Sequence, residues 1–590
     1  MDKRIDAPDS AGTASASMTA GGALLARLKA LGVDVIFANS GTDFPPIIEG
    51  LAEAAAADVP LPQALVMPHE HAAMGMAHGY YLATGRPQAV MGHTNVGLAN
   101  CAIGALNAAV DQVPVLLFSG RTPVMEQGRL GARTVPIGWG QEMRDQAALV
   151  RETAKWDYEL RFPEQVAEVL DRALAVAMAQ PRGPVYLSLP REVLCEPCPT
   201  AGLDAPPSIA VPREVAHPDD VTAAAEILAA AKRPLIVAQR GAGGAAGFAA
   251  LSALAADWAI PVVQYWALKL AVPTTHEMAA GVDPGPWMAE ADAILVVDAL
   301  APWWPDQHRP AADCRIVHLG PDPIFARTPV RNFRADLALR GETGETIAAL
   351  AAAMSRRKKG AAKRIAARRP DVTARCAAAR AAADRAAEAA NGAAGGKPMG
   401  KLWVSRCLSE ALAGKPATVL SELGAPLPGM KLEAHDSWYQ EPHAGGLGWS
   451  FPCAMGMALA DRDGKTDRPG RITAATMGDG SYIFANPVAC HQIAEALELS
   501  LLVVILNNAE WGAVRRSVLD IYPDGHAAKA NRMPLTALAP TPDFTQVARA
   551  SRGWARRVDD GDDLPAVLAE AVAHVEARKG LALVEVTVGG

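Results

Sequence analysis

Residues 477–514 read MGDGSYIFANPVACHQIAEALELSLLVVILNNAEWGAV, and the organisation of the chain can be worked outward from them. Gly478-Asp479-Gly480 places a carboxylate at a tight turn whose glycines let backbone N–H groups approach a ligand. A helix-length stretch follows, then a β-branched run over 501–506 that ends in Asn507-Asn508. A turn, a helix and a buried strand in that order form part of a βαβ unit, and such units build parallel sheets covered on both faces. The positive end of the helix suits a diphosphate. Mg²⁺ takes near-octahedral oxygen ligands, typically one or two from the protein and the rest from phosphate or water. Asp479 at the turn and an asparagine at the far end of the next strand supply such a donor pair. A lone GDG would read as an ordinary turn; the paired asparagines argue against that.

The chain has 590 residues, enough for three or four domains. Half of it is apolar and 20% is charged, which suits a globular enzyme with substantial cores. The net charge of −7 favours neither nucleic acid nor a membrane surface as a partner. No uninterrupted apolar run has the length of a transmembrane helix. Residues 1–18 are small and polar, lack the apolar centre of a secretory signal, and are expected to form a disordered tail. Of eight cysteines only Cys195 and Cys198 have ligand-like spacing, and no second pair completes a zinc site. A reducing cytoplasm is the expected location.

Three α/β segments follow the tail. The first, 19–193, alternates amphipathic helices with short buried strands at 35–38, 64–66, 89–92, 115–119 and 185–189. A proline-rich connector covers 194–216. The second segment, 217–350, carries strands near 235–238, 262–265, 293–297 and 315–319. An Ala/Arg/Lys-rich stretch, 351–396, has no interleaved aromatics and reads as a solvated helical linker rather than a nucleic-acid patch. The third segment, 397–590, holds the GDG turn and closes on LALVEVTV. The expected architecture is three doubly wound parallel-sheet domains.

The GDG…NN stretch resembles the diphosphate-binding motif of thiamine-diphosphate-dependent enzymes. The resemblance extends over nearly the whole chain after the tail and covers acetolactate synthase, benzoylformate decarboxylase and pyruvate oxidase relatives. It implies that Asp479 and Asn508 bind Mg²⁺ through their side chains and Glu510 through its carbonyl. Gly478, Gly480 and Ser481 would then hold the diphosphate. In His443-Ala444-Gly445-Gly446-Leu447-Gly448-Trp449, Leu447 would bend the cofactor and the Gly445 carbonyl would accept from its aminopyrimidine. Such enzymes need a carboxylic group beside that ring, and Glu70, where a strand turns through Pro68-His69 into a small-residue helix, takes that place. A helix-capping role is the plain alternative for Glu70. In these enzymes the two motifs meet from different chains, which implies a homodimer or homotetramer with active sites at the subunit interface.

His93, in GHTNVG, falls where benzoylformate decarboxylase has an active-site histidine, and Thr42 falls where that enzyme carries a substrate-binding serine. His276 stands at a second histidine position. A histidine can protonate an enamine once CO₂ has left. Trp511 and Tyr482 are expected at the entrance. The implied reaction is decarboxylation of a small 2-oxo acid, with an acetolactate-synthase-like carboligase as the alternative. A 2-hydroxyacyl-thioester lyase or a non-catalytic scaffold remain further readings. The middle segment lacks the arginine-containing turn through which the synthases contact FAD, which argues against FAD. Its Gly241-Ala242-Gly243-Gly244 loop reads more readily as a structural turn than as a nucleotide site.

Overall fold

The computed structural model describes residues 17–392 and 397–589. A short strand, β1 (Ser17–Thr19), precedes six parallel strands: β2 (Val35–Ala38), β3 (Gln63–Val66), β4 (Ala89–Gly92), β5 (Leu116–Arg121), β6 (Asp157–Glu159) and β7 (Val185–Pro190). They lie in the order β3-β2-β4-β5-β7-β6, and β8 (Pro197–Pro199) returns to pair antiparallel with β1. The central sheet contains β9 (Pro234–Ala238), β10 (Val262–Val263), β11 (Ala293–Val297), β12 (Arg315–Gly320) and β13 (Leu337–Arg340), in the order β10-β9-β11-β12-β13. The last sheet contains β14 (Ala417–Glu422), β15 (Trp438–Gln440), β16 (Ile472–Gly478), β17 (Leu502–Asn507), β18 (Trp554–Val558) and β19 (Ala582–Thr587). Its order, β15-β14-β16-β17-β19-β18, repeats the winding of the first sheet strand for strand.

All three sheets are parallel throughout, as the βαβ alternation predicts. Strands such as β9, β11 and β17 are buried along their whole length, so they read as continuous apolar runs rather than alternating ones. In each sheet the first strand lies between the second and the third. The crossovers therefore leave it toward opposite sides, and a crevice opens at its carboxyl end.

The N-terminal sheet belongs to one compact unit, and the central and C-terminal sheets together to a second. Within the second unit the two sheets share one apolar core. Trp438 Nε1 donates to the Ala267 carbonyl at 3.0 Å, and Thr274 N to the Leu432 carbonyl at 3.0 Å.

Several expectations need correction. Residues 1–16 of the tail lie outside the described residues, but Ser17 and Met18 belong to β1, because the chain there pairs with Pro199 and Cys198. The expected strand at 262–265 is only Val262–Val263, and the edge strands β6 and β13 were not anticipated. All eight cysteines are free, and Cys198 is buried with its thiol on the Pro163 carbonyl.

The basic stretch is not simply solvated. It forms the helix Lys358–Ala389, with Ile365, Val372 and Cys376 buried against the central domain. Its arginines bond carbonyls at the ends of two other helices. Arg364 donates to Ala229; Arg368 to Ala231, Trp258 and Ala259; and Arg369 to Ala256 and Asp257. Helix C-termini leave carbonyls without intrahelical partners and carry partial negative charge, so cations there are stabilising. Burial pushes the Arg368 guanidinium down to about 10. Among the described residues no helix is long and apolar enough to cross a membrane.

Arg368→Ala leaves three helix-terminal carbonyls without their charged donor. It is expected to destabilise the second unit by about 2 kcal/mol, whereas Lys363→Ala on the exposed side of the same helix should change stability by less than about 0.5 kcal/mol. Chemical denaturation of the two variants checks this.

Candidate active site

Two of the sheets bring chemistry-bearing residues to the crevice beside their first strand. In the N-terminal unit, β2 ends at Ala38 and is followed by Asn39, Thr42 and Asp43, while its neighbour β4 ends at Gly92 and is followed by His93. Glu70 opens the helix Glu70–Thr84 after β3 and is 4% exposed. A carboxyl so buried needs partners. It has two: Asn39 Nδ2 donates to Oε1 at 3.1 Å and Asn100 Nδ2 to Oε2 at 2.9 Å. Both donors are neutral amides, so the carboxylate is held in place without an ion pair. Gly97 makes the room, since a Cβ there would come within 2.9 Å of Glu70 Oε1. The helix Thr94–Val110 carries Gly97 and Asn100 on one face, three residues apart.

His93 lies beside this group with its side chain mostly covered. Its Nδ1 is 2.5 Å from Asp43 Oδ1, and its Nε2 is 3.1 Å from the Gln141 side-chain amide. The hydrogen bond from Asp43 raises the imidazole pKa above its ordinary value; burial opposes this, and the charges of Asp43 and Glu70 reinforce it. Thr42 is exposed, and its carbonyl accepts from Arg191 at 2.8 Å. Thr42, Asp43, Thr94, Thr122, Gln141 and Arg191 are among the residues that line a small cavity. Sequence reading did not single out Asn39, Asp43, Asn100 or Gln141. The one available signal was the polar cluster Asn39-Ser40-Gly41-Thr42-Asp43 directly after a buried strand.

In the C-terminal sheet the corresponding strand ends carry Glu422 on β14 and Gly478-Asp479 on β16. Asp479 is 2% exposed and begins the short helix Asp479–Phe484. Burial raises its pKa, opposed by backbone N–H groups of Gly480, Asp479 and Ala509 and by the charge of Lys401. Its Oδ2 is buried with no hydrogen-bond partner. Asn508 follows β17, and the same side of its amide lies 3.2 Å from Asp479 Oδ1 and 2.9 Å from the Glu510 carbonyl oxygen. With its nitrogen on that side, the amide donates to both. With its oxygen there, it accepts from Glu510 N at 3.3 Å and three oxygens converge, a set that a cation would hold together. Neighbouring oxygens about 3 Å apart are what octahedral coordination with 2.0–2.1 Å bonds requires. Among the described residues no cluster of three His, Cys, Asp or Glu side chains forms a metal site. The donor set that fits a metal is therefore this one: a carboxylate, an amide and a carbonyl.

Glu422 organises the neighbouring turn. It is fully buried and accepts from Gly448 N at 2.6 Å and Ser450 N at 2.7 Å. The hydroxyls of Ser450 and Ser481 also bond to it. Gly448 has φ +85°, and a Cβ there would meet the Phe484 and Ala485 backbones at 2.6 Å, so only glycine fits. Gly445 has φ +68° and Leu447 is half-buried in the same turn. Gly480 packs under Trp511, whose ring atom would lie 2.2 Å from a Cβ at that position. Beside this turn Glu441 is pushed up to about 8 by burial and by Glu422, and Lys401, which donates to the Leu423 carbonyl at 2.7 Å, faces it and Asp479.

One expectation does not survive. Tyr482 is not at an entrance: it is 0% exposed, its hydroxyl is 2.7 Å from His491 Nε2, and its ring stacks on Phe451. A helix begun at Asp479 turns its fourth residue inward. His276 lies in the second unit, where its Nδ1 accepts from Met278 N at 3.1 Å and its carbonyl from Arg380 at 2.9 Å. Burial lowers its pKa. In the central domain, Gly241 and Gly243 have φ +78° and +82°, and Cβ atoms there would strike the Leu270 carbonyl at 2.9 Å and Gly344 N at 2.7 Å. Close backbone approach therefore accounts for these glycines.

Comparison with known proteins agrees with the three-domain fold. Residues 18–149 match the N-terminal TPP binding domain of thiamine pyrophosphate enzymes, residues 221–350 their central domain, and residues 425–586 their C-terminal TPP binding domain. The chain is 29% identical over 569 residues to a Pseudomonas aeruginosa protein named probable 2-ketoarginine decarboxylase AruI, covering 93% of this chain and 91% of that one. It is 26% identical over 531 residues to benzoylformate decarboxylase of the same organism, covering 87% and 90%. Among solved structures, a thiamine diphosphate-dependent 4-hydroxybenzoylformate decarboxylase of Rhodococcus jostii RHA1 superposes with a TM-score of 0.74 at 21% identity, covering 97% of this chain and 99% of that chain. With matching domains in the family's order and relatives aligned along nearly its full length, the chain belongs to the thiamine pyrophosphate enzymes.

Proposed function

We propose that this protein decarboxylates a small 2-oxo acid, using thiamine diphosphate and Mg²⁺, and releases the aldehyde. The observation that carries the reading is a histidine of raised pKa, His93, at the same sheet end as the buried carboxyl of Glu70. Protonation of the carbon that has lost CO₂ needs such a donor. The names of the two curated relatives point the same way.

When bound, thiamine diphosphate supplies the nucleophilic carbon and the electron sink for loss of CO₂. The chain's own residues do the rest. Asp479 and Asn508 through their side chains, and Glu510 through its carbonyl, hold the metal, for which the unpartnered Asp479 Oδ2 and the converging oxygens provide the donors. Gly478, Gly480 and Ser481 border the diphosphate. Glu422 fixes the turn that presents Gly445 and Leu447 to the cofactor. Glu70 exchanges a proton with the aminopyrimidine, its position secured by Asn39 and Asn100. His93 delivers the proton to the carbon that has lost CO₂, and Thr42 contacts the substrate. A homodimer or homotetramer in the cytoplasm is the expected assembly.

Glu70→Gln is expected to lower kcat by at least about 100-fold, while calorimetry still shows Mg²⁺-dependent uptake of thiamine diphosphate. Equal turnover would remove Glu70 from the mechanism. Asp479→Ala, or chelation of Mg²⁺ in the unaltered protein, should abolish that uptake; binding that persists without metal would refute the metal site. Incubation with benzoylformate, 2-ketoarginine and pyruvate, followed by product analysis, should yield CO₂ and an aldehyde from at least one of them. Acetolactate as the sole product would replace decarboxylation with carboligation.

A further inference from the structure

We propose that Asp43 is a positioning residue for the proton transfer at His93: it fixes the ring so that Nδ1 bears a hydrogen, Nε2 is the atom that exchanges protons, and Gln141 occupies Nε2 until substrate replaces it. This rests on the reading of His93 given above and goes beyond it by assigning the donor atom and the groups that control it.

Asp43 is 4% exposed, and both its oxygens are engaged, Oδ1 with His93 Nδ1 at 2.5 Å and Oδ2 with the Thr94 N–H at 3.2 Å. An ionised carboxylate can only accept, so Nδ1 must be the donor. The neutral ring then leaves Nε2 bare, and the tautomer is set by the bond the other nitrogen makes. Two glycines leave the room that this contact occupies. A Cβ at Gly41 would lie 2.2 Å from His93 Nδ1, and one at Gly120 would lie 1.6 Å from Asp43 Oδ2. The charged groups that act on the ring are Asp43 and Glu70, both anionic. Arg191 and Arg133 line the same cavity, but Arg191 donates to the carbonyls of Thr42, Gly131 and Ala132, and Arg133 to that of Pro123 and to Glu142. The surroundings therefore favour the imidazolium.

On the other side of the ring, Gln141 Nε2 stands 3.1 Å from His93 Nε2. An amide serves either protonation state: its NH₂ donates to a bare Nε2, and its carbonyl, after rotation, accepts from Nε2–H. In the reaction the Nε2–H bond breaks and a C–H bond forms at the carbon that has lost CO₂. The ring is left neutral with its Nδ1 hydrogen still on Asp43, and solvent returns the proton. The sum is a 2-oxo carboxylate and one proton giving an aldehyde and CO₂.

The test is NMR of the full-length protein labelled with ¹⁵N-histidine, with the His93 signal assigned by its loss in His93→Ala, together with the pH profile of decarboxylation. The unaltered protein should show the Nδ1–H tautomer when neutral; an Nε2–H tautomer overturns the proposal without any variant of Asp43. In Asp43→Asn the His93 pKa should fall by about one unit or more, the alkaline limb of kcat should move down by the same amount, and kcat should drop about 100-fold with little change in KM. Loss of activity with an unmoved His93 pKa would make Asp43 merely structural. Undiminished decarboxylation in His93→Ala would instead sink the functional reading of His93, an outcome the resting-state tautomer does not depend on.

Discussion

Both clusters of candidate site residues depend on one topological constraint. When a parallel sheet places its first strand between its second and third, the segments leaving the carboxyl ends of the first and third strands diverge to opposite faces. The gap between them is lined by whatever follows those strands. In the N-terminal sheet that is Asn39 to Asp43 and His93; in the C-terminal sheet it is the surroundings of Glu422 and Asp479. The same winding, used twice, gathers a buried carboxyl and a histidine at one sheet end and a cluster of oxygens at the other. The central sheet is wound alike, but its crevice loop is closed by Gln239, whose side chain bonds Leu300 N, Tyr265 O and Ala301 O.

Burial is used differently in the two halves. Glu70 is satisfied by neutral amides. Asp479 is buried with one oxygen unmet, a costly state. Glu422 is buried and fully met by backbone amides and hydroxyls, and it acts as scaffolding. Three carboxylates with nearly the same exposure thus serve three ends, and the difference lies in their donors.

The fold was legible because buried parallel strands leave a strong mark. Runs such as Ala293–Val297 and Ala89–Gly92 are continuously apolar, and the helices between them carry their own period. Asp157–Glu159 and Leu337–Arg340 are edge strands with polar residues, where the pattern fades, whereas Ala417–Glu422 and Ile472–Gly478 are buried strands to which the sequence reading assigned no range. In the site, Asp479, Asn508 and Glu70 could be read because their motifs are local. Asn39, Asn100 and Asp43 could not, because each finds its partner 30 to 50 residues away and only the sheet brings them together. Tyr482 was misplaced for a related reason: adjacency to a motif in sequence says nothing about which side of a helix faces solvent.

The arginine-bearing helix between the central and C-terminal sheets has a practical corollary. What looked like a tether is a clamp, fastened to the ends of two neighbouring helices and seated on the core that both sheets share. Cutting the gene at that helix would not liberate two independent pieces. Each fragment would carry an open apolar wound, so the last two thirds of the chain must be made, stored and altered as a single body.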